Sequence, residues 1–188
     1  MPYEITKLET VHEGWSDFRL ATVRTPSGEE IRREIEDHGD AVAVLPYDPE
    51  RRVATLVRQF RTPVFHVTKE TDHLESPAGI LDADDPEAEV RREAEEEVGL
   101  RLSRLERLST AWACPGVSTE RIHLFLATYG EADRTGGGGG LASEHEEIAV
   151  IEMALAELAA MVDDGRLTDL KTLVLVQTLR LRYPELFA

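Results

Sequence analysis

The sequence predicts an α/β fold, in the α+β sense: a mixed β-sheet with helices, preceded by a small antiparallel strand subdomain. Three observations carry this. The chain leads with short β-branched segments, helical spacing enters only later and is interspersed with further strands, and 41% of the 188 residues are hydrophobic, enough for the core of a domain of ordinary size. The expected division is a strand subdomain over residues 1–40 and a main domain over 41–188.

Residues 1–40 alternate apolar and polar positions without a strong helical period. "SDFRLATVRTPSGEEIRREIEDHG" reads as two strands joined at Pro26-Ser27-Gly28, with Arg32 and Arg33 on the second. "AVAVLPYD" and "RRVATLVRQF" read as two buried strands separated by a turn at Asp48-Pro49-Glu50. "HLESPAG" is a short extended piece ending at Gly79. A helix follows from about Pro86 to Val98. "LSRLERLSTAWAC" and "RIHLFLATYG" are strands flanking the loop "PGVSTE". In "RTGGGGGLASEHEE" the five glycines read as a mobile segment. "IAVIEM" is a last strand, "ALAELAAMVDDG" a helix stopped by Gly165, and "TDLKTLVLVQTLRLRYPELF" a largely buried terminal helix with Thr168 as its N-cap.

Charge narrows the function classes. A formal net charge of −16 repels phosphate backbones and anionic lipid, so neither nucleic acid nor a membrane surface is an expected partner. The single cysteine, Cys114, forms no intrachain disulfide and has no evident histidine partner for thiol catalysis. No apolar run approaches the ~20 residues of a membrane span, and the N-terminal residues lack an apolar signal core. The expected location is the cytoplasm.

The segment "GILDADDPEAEVRREAEEEVGL" concentrates carboxylates where each like-charged pair one turn apart costs about 0.2–0.5 kcal/mol. Asp85 fits the N-cap, Pro86 the first helical position and Gly99 the stop. At ~100° per residue, Glu89, Glu93, Glu96 and Glu97 share one edge, while Val90, Ala94 and Val98 form an apolar stripe beside it. Glu95 points elsewhere, and Arg92 neighbours Glu89 and Glu96. A solvated face would intersperse lysines at four-residue spacing, whereas here carboxylates stack on one another. Clustered hard oxygens suit a divalent ion such as Mg²⁺ that is shared with substrate phosphates.

These residues resemble the Nudix box, G-x5-E-x7-R-E-U-x-E-E-x-G-U, where U is aliphatic. Arg92-Glu93-Ala94-Glu95-Glu96-Glu97-Val98-Gly99-Leu100 matches the second half throughout. The first half departs: the loop after Gly79 is one residue shorter, and Asp84 takes the glutamate position. "LVRQFR", "LESPAG", "CPGVSTERIHLFLATY", "EHEEIAVIEM" and "LKTLVLV" are similar to segments of Nudix nucleotide-sugar pyrophosphatases of the ADP-ribose and, more closely, GDP-mannose branches. The resemblance implies an α/β/α sandwich and Mg²⁺- or Mn²⁺-dependent hydrolysis of a nucleoside diphosphate sugar. It also implies a homodimer whose N-terminal strands exchange between protomers.

Carried over by position, Glu93 and Glu97 are the principal metal ligands, assisted by Glu96 and the carbonyl of Ala78. Gly79, Arg92 and Gly99 support them. Glu144 in the glycine-rich loop is the expected catalytic base, with Glu146 as alternative base or extra ligand. Arg61 and Arg33 are expected to bind substrate phosphates, Arg33 across the dimer, and Glu120 joins them as a substrate-binding residue. Trp112 and Tyr47 read as base-stacking candidates or as core aromatics. The competing reading is a non-catalytic Nudix-fold protein that binds a nucleotide; the full carboxylate set argues against it.

Overall fold

The computed structural model describes residues 2–82, 84–140 and 147–188. They form two compact units, one running to Ala41 and taking in Thr110–Ile122, the other comprising Val42–Ser109 and His123–Ala188.

The first unit holds a three-stranded antiparallel sheet in the order β1-β2-β3, with β1 at Glu4–His12, β2 at Asp17–Arg24 and β3 at Glu30–Asp37. The turn expected at Pro26-Ser27-Gly28 joins β2 to β3: Gly28 adopts φ 90° and donates its N–H to the Thr25 carbonyl at 2.9 Å. The expected pair of strands is therefore preceded by a third, β1. The 113–120 loop meets the end of β3, where Glu36 N–H donates to Val117 O and Thr119 N–H to Glu36 O.

The larger sheet has the order β10-β5-β4-β9-β8, from β4 at Ala41–Asp48, β5 at Val53–Gln59, β8 at Arg104–Trp112, β9 at Arg121–Thr128 and β10 at Ala149–Ala154. Two three-residue strands join it: β6, His73–Glu75, pairs with β5, and β7, Ala78–Ile80, pairs with β4. All of β4 is buried, as its continuous apolar run predicts for a central strand covered on both faces.

Among the described residues four α-helices accompany these strands: α1 at Thr62–Thr68, α2 at Pro86–Val98, α3 at Leu155–Asp163 and α4 at Leu170–Arg182. On one face α2 sets Val90, Ala94 and Val98 against Val42, Val44, Val57 and Phe125. Side chains alternate along strands, so Leu45 and Leu56 turn to the opposite face, where α3 and α4 bury Leu155, Leu158, Leu175 and Leu179. This is the expected α/β/α sandwich.

Three further details differ from the sequence reading. The helix α1 was not expected; it has seven residues and buries none of them, so it carries no periodic signal. The N-cap of α4 is Asp169, not Thr168, because the Asp169 carboxylate accepts the Thr172 N–H at 2.9 Å. And α4 is buried on one side only, with Leu170 61% and Leu181 82% exposed. Among the described residues no helix is long and apolar enough to cross a membrane.

Candidate active site

The site is built on α2. Asp85 caps it, accepting hydrogen bonds from the N–H groups of Glu87 at 3.1 Å and Ala88 at 3.2 Å, and Pro86 needs no hydrogen-bond acceptor at the first position. Gly99 ends the helix in the left-handed region, φ 66°, donating to the Glu95 carbonyl at 3.1 Å. These are the boundaries the sequence specifies.

The carboxylate edge is real. Burying Val90 and Val98 is worth about 1.5–3 kcal/mol each, but Glu89 and Glu97 are themselves buried, so the like-charge pairs need a partner as well. Arg92 offsets much of the remaining repulsion. Its Nε donates to Glu89 Oε1 at 2.7 Å, and its Nη atoms reach Glu89, Glu93 and Glu96. Burial opposes its charge, but these carboxylates raise the Arg92 pKa above its ordinary value. The sequence reading set Arg92 beside Glu89 and Glu96; the structure puts it within reach of Glu93 as well.

Glu93 and Glu97 face the short strand β7. Gly79 leaves room at that crossing: a Cβ there would fall 2.0 Å from Glu93 Oε1 and the Glu93 side chain would have to shift. Glu97, 2% exposed, accepts the Ala78 N–H through Oε2 at 3.0 Å. A carboxylate at this depth is normally tolerated only when bonded or paired. Ala78 and Gly79 thus meet the two principal candidate ligands. Among the described residues no three Asp, Glu, His or Cys side chains converge as a ready-made metal cage. What the chain offers is two hard carboxylates against β7, one of them packed into the space that Gly79 leaves, a donor set that fits a divalent ion taking its remaining ligands from water and substrate.

A second charged group lies on the elements beside β7. Arg61 donates to both oxygens of Glu75, Nε at 2.7 Å and Nη2 at 3.0 Å, and Lys171 Nζ reaches Glu75 as well. Lys171 also holds Asp169 at 3.0 Å. Glu75 is 2% exposed. Burial alone would raise its pKa, but the hydrogen bond from Arg61 and the charges of Lys171 and Arg61 bring it to about 2. Arg61, itself opposed by burial, is raised by Glu75 and by the more distant Glu97 and Asp169. Arg61 was expected here; Glu75 and Lys171 were not. Their only sequence signals are a glutamate opening "ESPAG" and a lone lysine in an apolar helix.

The other expected residues lie elsewhere or outside the description. Arg33 sits exposed on β3 and donates to the Arg32 carbonyl at 2.8 Å. Glu120 is paired within the first unit, 3.5 Å from His38 Nε2, while His38 Nδ1 meets Glu36 at 2.5 Å. Burial opposes protonation of His38, yet Glu36 and Glu120 raise its pKa. Tyr47 is core, 5% exposed, with burial raising its hydroxyl to about 12; Trp112 is exposed. Cys114 is exposed and free. Glu144 and Glu146 lie outside the described residues. The glycines before them do not read as the sequence suggested: Gly139 and Gly140 donate to the carbonyls of Glu97 and Glu96 at 2.9 and 3.2 Å.

The model of the NUDIX domain matches residues 37–173. A GDP-mannose pyrophosphatase of Cronobacter sakazakii is 43% identical over 185 residues, covering 95% of each chain. Another of that description, from Pectobacterium atrosepticum, is 36% identical over 181 residues, covering 94% of this chain and 93% of its own. Among solved structures, an ADP compounds hydrolase superposes with a TM-score of 0.79 over 98% of this chain and 96% of its own; at 17% identity this is a likeness of fold.

Proposed function

This chain belongs to the NUDIX domain family, and from that premise we propose that it hydrolyses the diphosphate linkage of a nucleoside diphosphate sugar, GDP-mannose before ADP-ribose. The products are a nucleoside monophosphate and a sugar phosphate. One observation carries the reading: Glu93 and Glu97 of α2 meet Gly79 and Ala78 of β7, in a chain similar over nearly its full length to GDP-mannose pyrophosphatases.

Glu93, Glu97, Glu96 and the Ala78 carbonyl would hold the divalent ion, Mg²⁺ or Mn²⁺. When bound, it neutralises diphosphate charge and stabilises the charge that develops as the anhydride breaks. Arg92 spaces the carboxylates and offsets their mutual repulsion. Arg61 and Lys171 share one buried carboxylate, Glu75, and Lys171 also holds Asp169, so the group is balanced in charge until a phosphate competes for Arg61. The planar donors of Arg61 suit phosphate oxygens. Arg33 and Glu120 extend the substrate contacts, Arg33 from the partner in a homodimer with exchanged N-terminal strands. Glu144, with Glu146 as alternative, is the proposed base that takes a proton from the attacking water. The protein is proposed to act in the cytoplasm.

The test is a panel of nucleoside diphosphate sugars with Mg²⁺, reading monophosphate release. GDP-mannose is expected to be cleaved fastest. Absence of release from every member would overturn the reading. Light scattering at micromolar protein tests the dimer, and a monomer there would count against strand exchange.

A further inference from the structure

We propose that the glycine run after Thr135 is a positioning element: its backbone closes the C-terminal end of α2 and so fixes where Glu96 and Glu97 stand. The inference rests on the metal-site reading above and goes beyond it, because no residue of the run is among the ligands.

The last carbonyls of a helix have no partner within it. Gly99 and Leu100 cap two of those of α2, on Glu95 and Ala94. The next two are satisfied from the glycine run: Gly139 N–H donates to Glu97 O at 2.9 Å and Gly140 N–H to Glu96 O at 3.2 Å. Just beyond the helix, Thr135 N–H donates to Gly99 O at 2.8 Å, with its hydroxyl at 3.2 Å from the same oxygen.

The two backbones touch, and only glycine allows it. A Cβ on Gly138 would lie 2.3 Å from Glu97 O and 2.7 Å from Val98 Cα, and Gly138 has φ +64°. Reciprocally, a Cβ on Gly99 would lie 2.3 Å from Gly136 O. The neighbouring Gly137 has nothing within 4 Å of its would-be Cβ. Composition alone therefore does not explain Gly138. Glu97 is held twice, its carboxylate by the Ala78 N–H and its carbonyl by the Gly139 N–H. Moving the second contact tilts the last turn and the carboxylates it carries.

The experiment is Mn²⁺ titration of the purified full chain, with free Mn²⁺ read by electron paramagnetic resonance, for wild type, Gly138→Ala, Gly137→Ala and Glu97→Gln. Loss of a support of this kind is expected to weaken binding about 10- to 100-fold in Gly138→Ala, with Gly137→Ala within about twofold of wild type. Wild-type affinity in a folded Gly138→Ala, or equal losses in both glycine variants, overturns the proposal. If Gly138→Ala does not fold, wild-type hydrogen exchange decides. Linkage is reciprocal, so saturating Mg²⁺ must slow exchange at the Gly139 and Gly140 amides, and unchanged rates overturn the proposal. Failure of the metal-site reading looks different: wild type binds no Mn²⁺, or Glu97→Gln binds it as tightly, and either result removes both.

Discussion

The Glu97 carboxylate, almost wholly withdrawn from solvent, accepts the backbone N–H of Ala78 at 3.0 Å. One hydrogen bond thus joins the last turn of α2 to the short strand β7, two elements that share neither a register nor a turn.

That geometry separates folding from catalysis at Glu97. Glutamine keeps an oxygen that can accept from Ala78 but loses the charge. Glu97→Gln is expected to lower turnover at least about a hundredfold while the melting temperature stays near that of wild type. Steady-state kinetics beside thermal melts check it, and wild-type turnover in a folded variant removes Glu97 from the mechanism.

Gly79→Ala acts on Glu93 by contact. The added methyl would overlap a carboxylate oxygen at 2.0 Å, so Glu93 or β7 must move. A stability loss of about 1–3 kcal/mol is expected from overpacking, together with a raised requirement for divalent ion. Denaturant melts and metal-dependence curves read the two separately. An unchanged metal requirement would show that Glu93 is not held where the reaction needs it.

Glu75 makes stability depend on acid. Its folded pKa, about 2, lies below its ordinary value, so its contribution is complete above the unfolded pKa and fades as pH falls toward about 2. Removing one partner of a buried ion pair costs about 3–5 kcal/mol, so Glu75→Gln is expected to be markedly less stable at pH 7. The gap to wild type should narrow between pH 5 and 2. Urea melts across that range test it; a constant gap would contradict the assignment.

His38 works in the other direction. Held between Glu36 and Glu120, its pKa is raised, so its contribution is full below the unfolded value and is lost as pH rises through the folded one. Nuclear magnetic resonance titration of the imidazole Cε1–H should give a midpoint above 6.5, and replacing Glu120 with Gln should lower it. A midpoint at or below 6.5 would falsify the bridge.

What the sequence alone determined is what short-range physics controls. The helix α2 begins and ends where Asp85, Pro86 and Gly99 say it should, because caps act on backbone groups within a few residues. Its carboxylate edge and apolar stripe follow from 3.6-residue periodicity, and β4 is buried as its unbroken apolar run requires. Where local signals were weak the reading stopped short: α1 buries nothing and went unseen, and adjacent residues competed for the cap of α4.

Only the tertiary structure decided which distant groups share a charge or a backbone contact. Glu75 meets Lys171 across 96 positions, and His38 meets Glu120 across a sheet end and a loop. The glycine run, mobile by composition, is docked because its acceptors are the carbonyls of Glu96 and Glu97. The physical reason is common to all three. A side chain's charge state and a glycine's freedom depend on what lies within a few ångströms, and for these residues that neighbour comes from a remote part of the chain.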